Sequence, residues 1–500
     1  MYKLSATDAG FLYGETPLSP MHVASVQVLA LPEGVAEDEF IATLKPYISA
    51  RSHLVPYITN RLQATPFDLD HPLWVRDPDF DIDRHIYRVE VPAPGGQAEL
   101  EQTIAELHAK PLDRSRPLWE MAVLCGLEDR EGTGNRRVAY YSRVHHACLD
   151  GMAGQAATVN LMDSEPATQE IPGPASEFAE RAVQHNPASL LVDAWRNFAL
   201  MQVDQVTRWP ERLNAAARLW QRALDPSRSF GARQAPAPKT IFNRSVSAAR
   251  TYAVGEVPVT DIKAVGRALG ATLNDVFLAS CGGGLRRYLK AKGELPQAPL
   301  IAGCPVSLRQ PGDASLNNQL TMMQVALGTD IADAKARVSA VAASARSAKA
   351  ATAEAAPLLT GNASVPGLPA ALRSAALWAE QTGAGEGPQQ VNLVISNVPG
   401  PRHTLYSNGA RMLTHYPVSI AAHGMGVNLT AQSYDGVLYL GITACARALP
   451  DADRLRDAIL AEFSELRAAV VPVEPARTTT NVHQLAATAP PSAEKLREVA

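Results

Sequence analysis

The segment His145-His146-Ala147-Cys148-Leu149-Asp150-Gly151 holds the residues in this chain best suited to chemistry. Moving an acyl group onto an alcohol requires a base that takes the hydroxyl proton as the oxygen attacks. An imidazole titrating near neutrality suits that task. The base must be held in one tautomer and orientation, which takes a second polar group. Asp150 follows His146 by four residues, just past a strand end, and is close enough to organise the loop. Gly151 allows the backbone a conformation that other residues resist. An isolated histidine pair reads more simply as polar loop. The buried strand before this pair and the Asp-Gly after it favour His146 as a general base.

The positioning elements follow from periodicity. Strands are expected at 22–31, 87–91, 118–127 and 137–144, and helices at 36–50, 97–110 and 151–161. The strand at 137–144 runs straight into the histidines. A second series has strands at 250–254, 300–306, 319–327, 392–396, 426–432 and 437–444. Its helices fall at 261–269, 272–291, 331–355 and 451–470, and Tyr434-Asp435-Gly436 forms a hairpin turn. Between the two series, 163–187 carries four prolines and 225–240 carries three. Residues 188–224 form one or two amphipathic helices with Leu191, Trp195 and Phe198 on one face. Trp209 and Trp220 add bulk, and arginines outnumber acids. That face either packs as a strut between the halves, the preferred reading, or lies on a lipid surface. The division expected is an N-terminal domain over 1–163, a crossover over 164–240, a C-terminal domain over 241–470 and a disordered tail over 471–500.

Composition narrows the function classes. A 46% hydrophobic and 19% charged chain has the profile of a globular protein rather than a disordered one. Its net charge of −4 argues against a nucleic-acid partner. Cys125, Cys148, Cys281, Cys304 and Cys445 are odd in number and show no CxxC pair. A disulfide framework or zinc site is therefore not expected, and a reducing cytoplasm is. His53, His415 and His423 lack ligand spacing, so no metal is expected. The N-terminus lacks signal-peptide order, and no apolar run reaches the roughly 18 residues of a membrane span.

With these residues in view, the chain resembles the bacterial wax ester synthase/diacylglycerol acyltransferase family. That family lies within the chloramphenicol-acetyltransferase-like superfamily, whose signature is HHxxxDG. The resemblance runs from about residue 4 to about 468. It includes Leu4-Ser5-Ala6-Thr7-Asp8 with Phe11, Leu12 and Glu15, Pro20-Met21-His22-Val23, and Pro117-Leu118-Trp119-Glu120. It continues through Thr272-Leu273-Asn274-Asp275-Val276, Pro305-Val306-Ser307-Leu308-Arg309 and Ser396-Asn397-Val398-Pro399-Gly400-Pro401.

The resemblance implies an α/β fold: two chloramphenicol-acetyltransferase-like two-layer sandwiches around a central tunnel. It implies that His146 is the general base, that His145 has a positioning role, and that Asp150 makes a structural salt bridge, with Arg309 the nominated partner. Cys148 is then no nucleophile, since the mechanism needs no acyl-enzyme. Asn274 and Asp275 are expected to cap a helix, to lie near the site, or both. Ser307 and Asn397 are alternative donors to an oxyanion. The implied reactants are long-chain acyl-CoA, as substrate rather than cofactor, and diacylglycerol or a fatty alcohol. The implied location is cytoplasmic, peripheral on the inner membrane face or on lipid droplets. Two rival readings are a condensation-type enzyme using a carrier-protein thioester and a non-catalytic lipid-droplet protein.

Overall fold

The apolar runs pair into two six-stranded mixed sheets. The structure, a computed structural model, describes residues 2–129, 136–169, 171, 186–225, 236–309, 317–359, 367–383 and 386–471. The tail expected over 471–500 lies, apart from Val471, outside the described residues, as do much of 163–187 and 225–240. The first sheet runs, edge to edge, Tyr406–Ser407, Ala410–Val418, His22–Ala30, Arg137–His145, Trp119–Cys125 and Ile86–Glu90. The second runs Leu320–Ala326, Ile301–Ser307, Leu393–Val398, Val427–Tyr434, Val437–Cys445 and Arg250–Pro258.

Helix Glu37–Arg51 buries Phe40, Leu44 and Ile48 against Leu29 and Tyr140 of the first sheet. Helices Leu273–Ala291, Ala334–Leu359 and Ala452–Val470 cover the second, with Val276, Leu285, Val341 and Ile459 in one core with Leu300 and Leu429. These helices pack closely because Leu273–Ala291 carries Gly282-Gly283-Gly284. A Cβ at Gly284 would lie 2.3 Å from Ile459 Cγ1, and one at Gly282 would lie 2.2 Å from the Leu327 carbonyl oxygen. Helix Gln97–His108 bridges the halves, since Leu100 and Ile104 share a core with Val26 and with Val254.

The two halves also exchange a strand. The sequence division places Ala410–Val418 in the second half. This strand instead hydrogen-bonds antiparallel to His22–Ala30 in the first sheet, from Ala24↔Val418 to Ala30↔Arg411. Arg411, His415 and Pro417 break its apolar pattern, and a central strand resists proline. Pro417 is tolerated because the neighbour beyond it, Tyr406–Ser407, pairs only with Ala410 and Arg411. The crossover is two helices, Pro187–Thr207 and Trp209–Leu224. Leu191 and Phe198 are half-buried, whereas Trp195, Trp209 and Trp220 are 60%, 61% and 69% exposed. The strut reading therefore fails for the tryptophans. No helix among the described residues is long and apolar enough to cross a membrane.

Candidate active site

Backbone hydrogen bonds fix the motif loop at the end of strand Arg137–His145. The His145 amide donates to Leu118 O at 2.9 Å, and the His146 amide to Met21 O at 2.8 Å. The Cys148 amide returns to His145 O at 2.9 Å, closing the turn. Asp150 then caps helix Gly151–Leu161, its Oδ1 accepting from the Ala153 amide at 2.9 Å. The His146 ring stacks on Phe11 with centroids 4.0 Å apart and planes 8° from parallel. Phe11 lies on helix Ala6–Gly14, which a capping box between Ser5 and Asp8 begins. Asn318, from the second half, donates its side-chain amide to Asp8 Oδ1 at 2.7 Å and to His146 O at 2.6 Å. Three distant segments thus clamp one loop.

The two imidazoles differ in surroundings. His145 is fully buried. Its Nδ1 accepts from the Ala147 amide at 3.0 Å, which leaves the proton on Nε2, 3.5 Å from Glu15 Oε1. Burial alone would raise the Glu15 carboxyl. The hydrogen bond and charge of His145, the Arg114 guanidinium and the Met21 amide outweigh it and hold that carboxyl down at about 2. Burial pushes the His145 pKa below its ordinary value, against the pull of Glu15. Burial also lowers the His146 pKa, and His145 adds to this, while its own carbonyl, Asn318 and Asp150 pull the other way. His146 is therefore held as neutral imidazole at neutral pH. Its Nδ1 is sealed in the protein. Burial also lifts the Cys148 thiol well above its usual range, so no thiolate is available there.

The His146 ring borders a cavity of about 760 Å³. The first sheet contributes Val23, Ser25, Met121 and Val144 to its wall, and the second contributes Met322, Val394 and Thr430. Its size and largely apolar lining suit a hydrocarbon-bearing ligand. Asp150 Oδ2 lies 2.9 Å from Arg309 Nη2, and Arg309 also donates to Asn317 O at 2.8 Å. Ser307 and Asn397, both from the second sheet, line the same cavity. Ser307 Oγ accepts from the Arg309 amide at 3.2 Å, and Asn397 Nδ2 donates to Asn274 Oδ1 at 3.3 Å.

Residues 4–277 match the wax ester synthase/diacylglycerol acyltransferase catalytic domain, and residues 316–467 match the C-terminal domain of the same family. The chain belongs to the wax ester synthase/diacylglycerol acyltransferase family. As a member it is an acyl-CoA-dependent O-acyltransferase. A Mycobacterium tuberculosis protein assigned as a diacylglycerol O-acyltransferase is 34% identical over 469 residues, covering 93% of this chain and 90% of that one. A second from that organism is 34% identical over 473 residues, covering 93% of this chain and all of its own. The solved wax ester synthase/diacylglycerol acyltransferase of Marinobacter aquaeolei superposes with a TM-score of 0.66 at 27% identity, covering 94% of this chain and 100% of that one. The first condensation domain of the calcium-dependent antibiotic synthetase superposes at 0.56 with 14% identity, covering 94% and 97% of the two chains, and shares the fold.

Within this acyltransferase, two sequence expectations need correcting. Gly151 does not adopt a left-handed conformation. Its hydrogen is required because a Cβ there would lie 2.9 Å from Val398 Cγ2. Asn274 does not cap its helix. Thr272 is the N-cap, and Asp275 completes a capping box by accepting from the Thr272 amide at 2.9 Å and hydroxyl at 2.7 Å. Asp8, Phe11, Glu15 and Asn318 received no role from sequence, although three of them lie in the short opening segment. Their signal was a cluster of polar and aromatic residues ahead of the first strand. Asn318 gave none, because its partners are remote in sequence.

Proposed function

We propose that this protein esterifies diacylglycerol, or a long-chain fatty alcohol, with the acyl group of long-chain acyl-CoA, and that His146 is the general base. The observation that carries the reading is the neutral His146 ring set in the wall of the apolar cavity between the halves. With Nδ1 sealed, Nε2 takes the hydroxyl proton as the alcohol oxygen attacks the thioester carbonyl carbon. The oxyanion collapses, the C–S bond breaks, and the imidazolium returns that proton to the departing thiolate. No acyl-enzyme forms. Holding both substrates in one tunnel makes the step effectively unimolecular. Ser307 is the better oxyanion donor of the two: its Oγ only accepts from protein, leaving its proton free, whereas Asn397 is turned towards Asn274.

Both lipids must enter from a greasy phase. The exposed face of the crossover helices supports direct contact with a membrane or lipid-droplet surface. Val192, Trp195, Val203, Val206, Trp209 and Trp220 are all exposed there, with Arg196, Arg208 and Arg218 alongside. Phe67, 85% exposed, follows the same pattern. Its neighbour Asp68 pairs with Arg373 on helix Leu368–Thr382, which exposes Trp378.

The test offers labelled long-chain acyl-CoA with diacylglycerol and with hexadecanol to the parent and to His146→Ala. The variant is expected to keep the parent's melting temperature within a few degrees and to lose about 100-fold or more in kcat/KM. Because the His146 pKa is lowered, parent activity should stay level from neutrality to below pH 6.5 and fall only in stronger acid. Full-speed esterification by His146→Ala would sink the assignment.

A further inference from the structure

The cavity is not apolar throughout. It is also lined by Gln27 of the first sheet, His415 of the exchanged strand and Gln432 of the second sheet, which are 4%, 1% and 5% exposed. Gln27 Nε2 lies 3.2 Å from His415 Nε2, and Gln432 Nε2 lies 2.6 Å from His415 Nδ1. A neutral imidazole has one donor and one acceptor nitrogen, so both amides cannot donate to it. One glutamine must turn its carbonyl oxygen to the ring N–H, an exchange that leaves its position unchanged. One NH2 and one C=O are then left over, facing the cavity. Burial drives His415 down to about 3, so the ring stays neutral and the count holds.

Burying such groups without a partner carries a desolvation cost. A tunnel meant only for hydrocarbon would carry leucine or valine at these positions. Position along the strands says where on a substrate the partner must lie. His22 pairs with His145 and Gln27 with Tyr140, while His415 pairs with Gln27. At strand spacing the cluster sits about 17 Å along the sheet from the level of the histidine pair. That is a distance a long chain spans and a short one does not.

We propose that Gln27, His415 and Gln432 form a recognition site for a hydroxyl group carried far along a lipid substrate. A hydroxyl both donates and accepts, which matches one free C=O and one free NH2. The proposal rests on the acyltransferase reading above and deepens it. It sets specificity for one end of a chain whose other end reacts at His146.

The hydroxyl can belong to either substrate, and two assay arms separate the sources. The donor arm compares mid-chain and ω-hydroxy long-chain acyl-CoA with the unsubstituted acyl-CoA, using one plain alcohol. The acceptor arm compares a long-chain α,ω-diol with the monoalcohol, using plain acyl-CoA. In one arm the parent is expected to favour the hydroxylated substrate about tenfold in kcat/KM. Gln27→Leu and Gln432→Leu should bring that ratio towards one, whatever happens to overall rate. Displacement of a fluorescent fatty acid by hydroxylated and plain fatty acids reads the same preference without turnover. Equal handling of both substrates in both arms and in displacement, or a ratio the variants leave intact, overturns the proposal. Loss of turnover on plain substrates in the parent, with the displacement preference kept, would instead remove the acyltransferase reading.

Discussion

Asp150 uses its two oxygens for two tasks. Oδ1 caps the helix that follows the motif, and Oδ2 reaches across the interface to Arg309. Asp150→Asn keeps a capping oxygen but removes the negative charge that faces a mostly buried guanidinium. We expect it to cost about 3–5 kcal/mol of stability. Asp150→Asn combined with Arg309→Met should recover part of that loss, with a coupling of about 1–3 kcal/mol in a double-mutant cycle. Urea denaturation of the four proteins measures both; strictly additive losses would mean that the pair does not interact. The loop carrying the histidines and Asp150 was legible in the sequence because a plain apolar strand runs into it, whereas Arg309 as the partner of Asp150 came from the family resemblance. Asn318 was not legible. It reaches Asp8 across 310 residues of chain, and no local pattern records such a contact. The polar cluster at Gln27, His415 and Gln432 was hidden for the same reason, since its members come from three strands that only pairing brings together.

At the scale of elements, Gly282-Gly283-Gly284 inside a helix looks like a weakness, because each glycine costs about 1 kcal/mol of helix propensity relative to alanine. Packing reverses the sign. At Gly284 a Cβ would meet Ile459 backbone at 2.7 Å as well as its side chain. Gly284→Ala should therefore destabilise by about 1–3 kcal/mol despite its better propensity. Gly10→Ala is the control: it lies in helix Ala6–Gly14 with nothing within 4 Å of its Cβ, and should be neutral or mildly stabilising. Matched denaturation midpoints for Gly284→Ala and the parent would refute the packing argument. Most helices and strands were readable from period and turn chemistry. The strand Ala410–Val418 escaped because Arg411, His415 and Pro417 interrupt it, and helix Ala6–Gly14 because its small residues make no apolar stripe.

At the scale of the molecule, the crossover helices give one side a broad apolar and basic surface, with Leu190, Ala194 and Ala215 buried beneath it. Arg222 pairs with Glu354, and Asn197 donates to Asp70 at 3.0 Å. Replacing Trp195 and Trp209 by Glu should reduce co-sedimentation with anionic phospholipid vesicles about tenfold and leave the melting temperature unchanged. Undiminished sedimentation would remove the lipid-surface reading. Strands of both six-stranded sheets were visible in the succession of strand and helix patterns, but the strand Ala410–Val418 that joins the first sheet from late in the chain was not. The exchanged strand Ala410–Val418 carries a consequence for biogenesis. As the polypeptide leaves the ribosome, His22–Ala30 lacks its partner on that edge until Ala410–Val418 has been made. The cavity beside the histidines thus waits for Ala410–Val418 and for the later strand Val427–Tyr434, so a product cut short before them cannot enclose it.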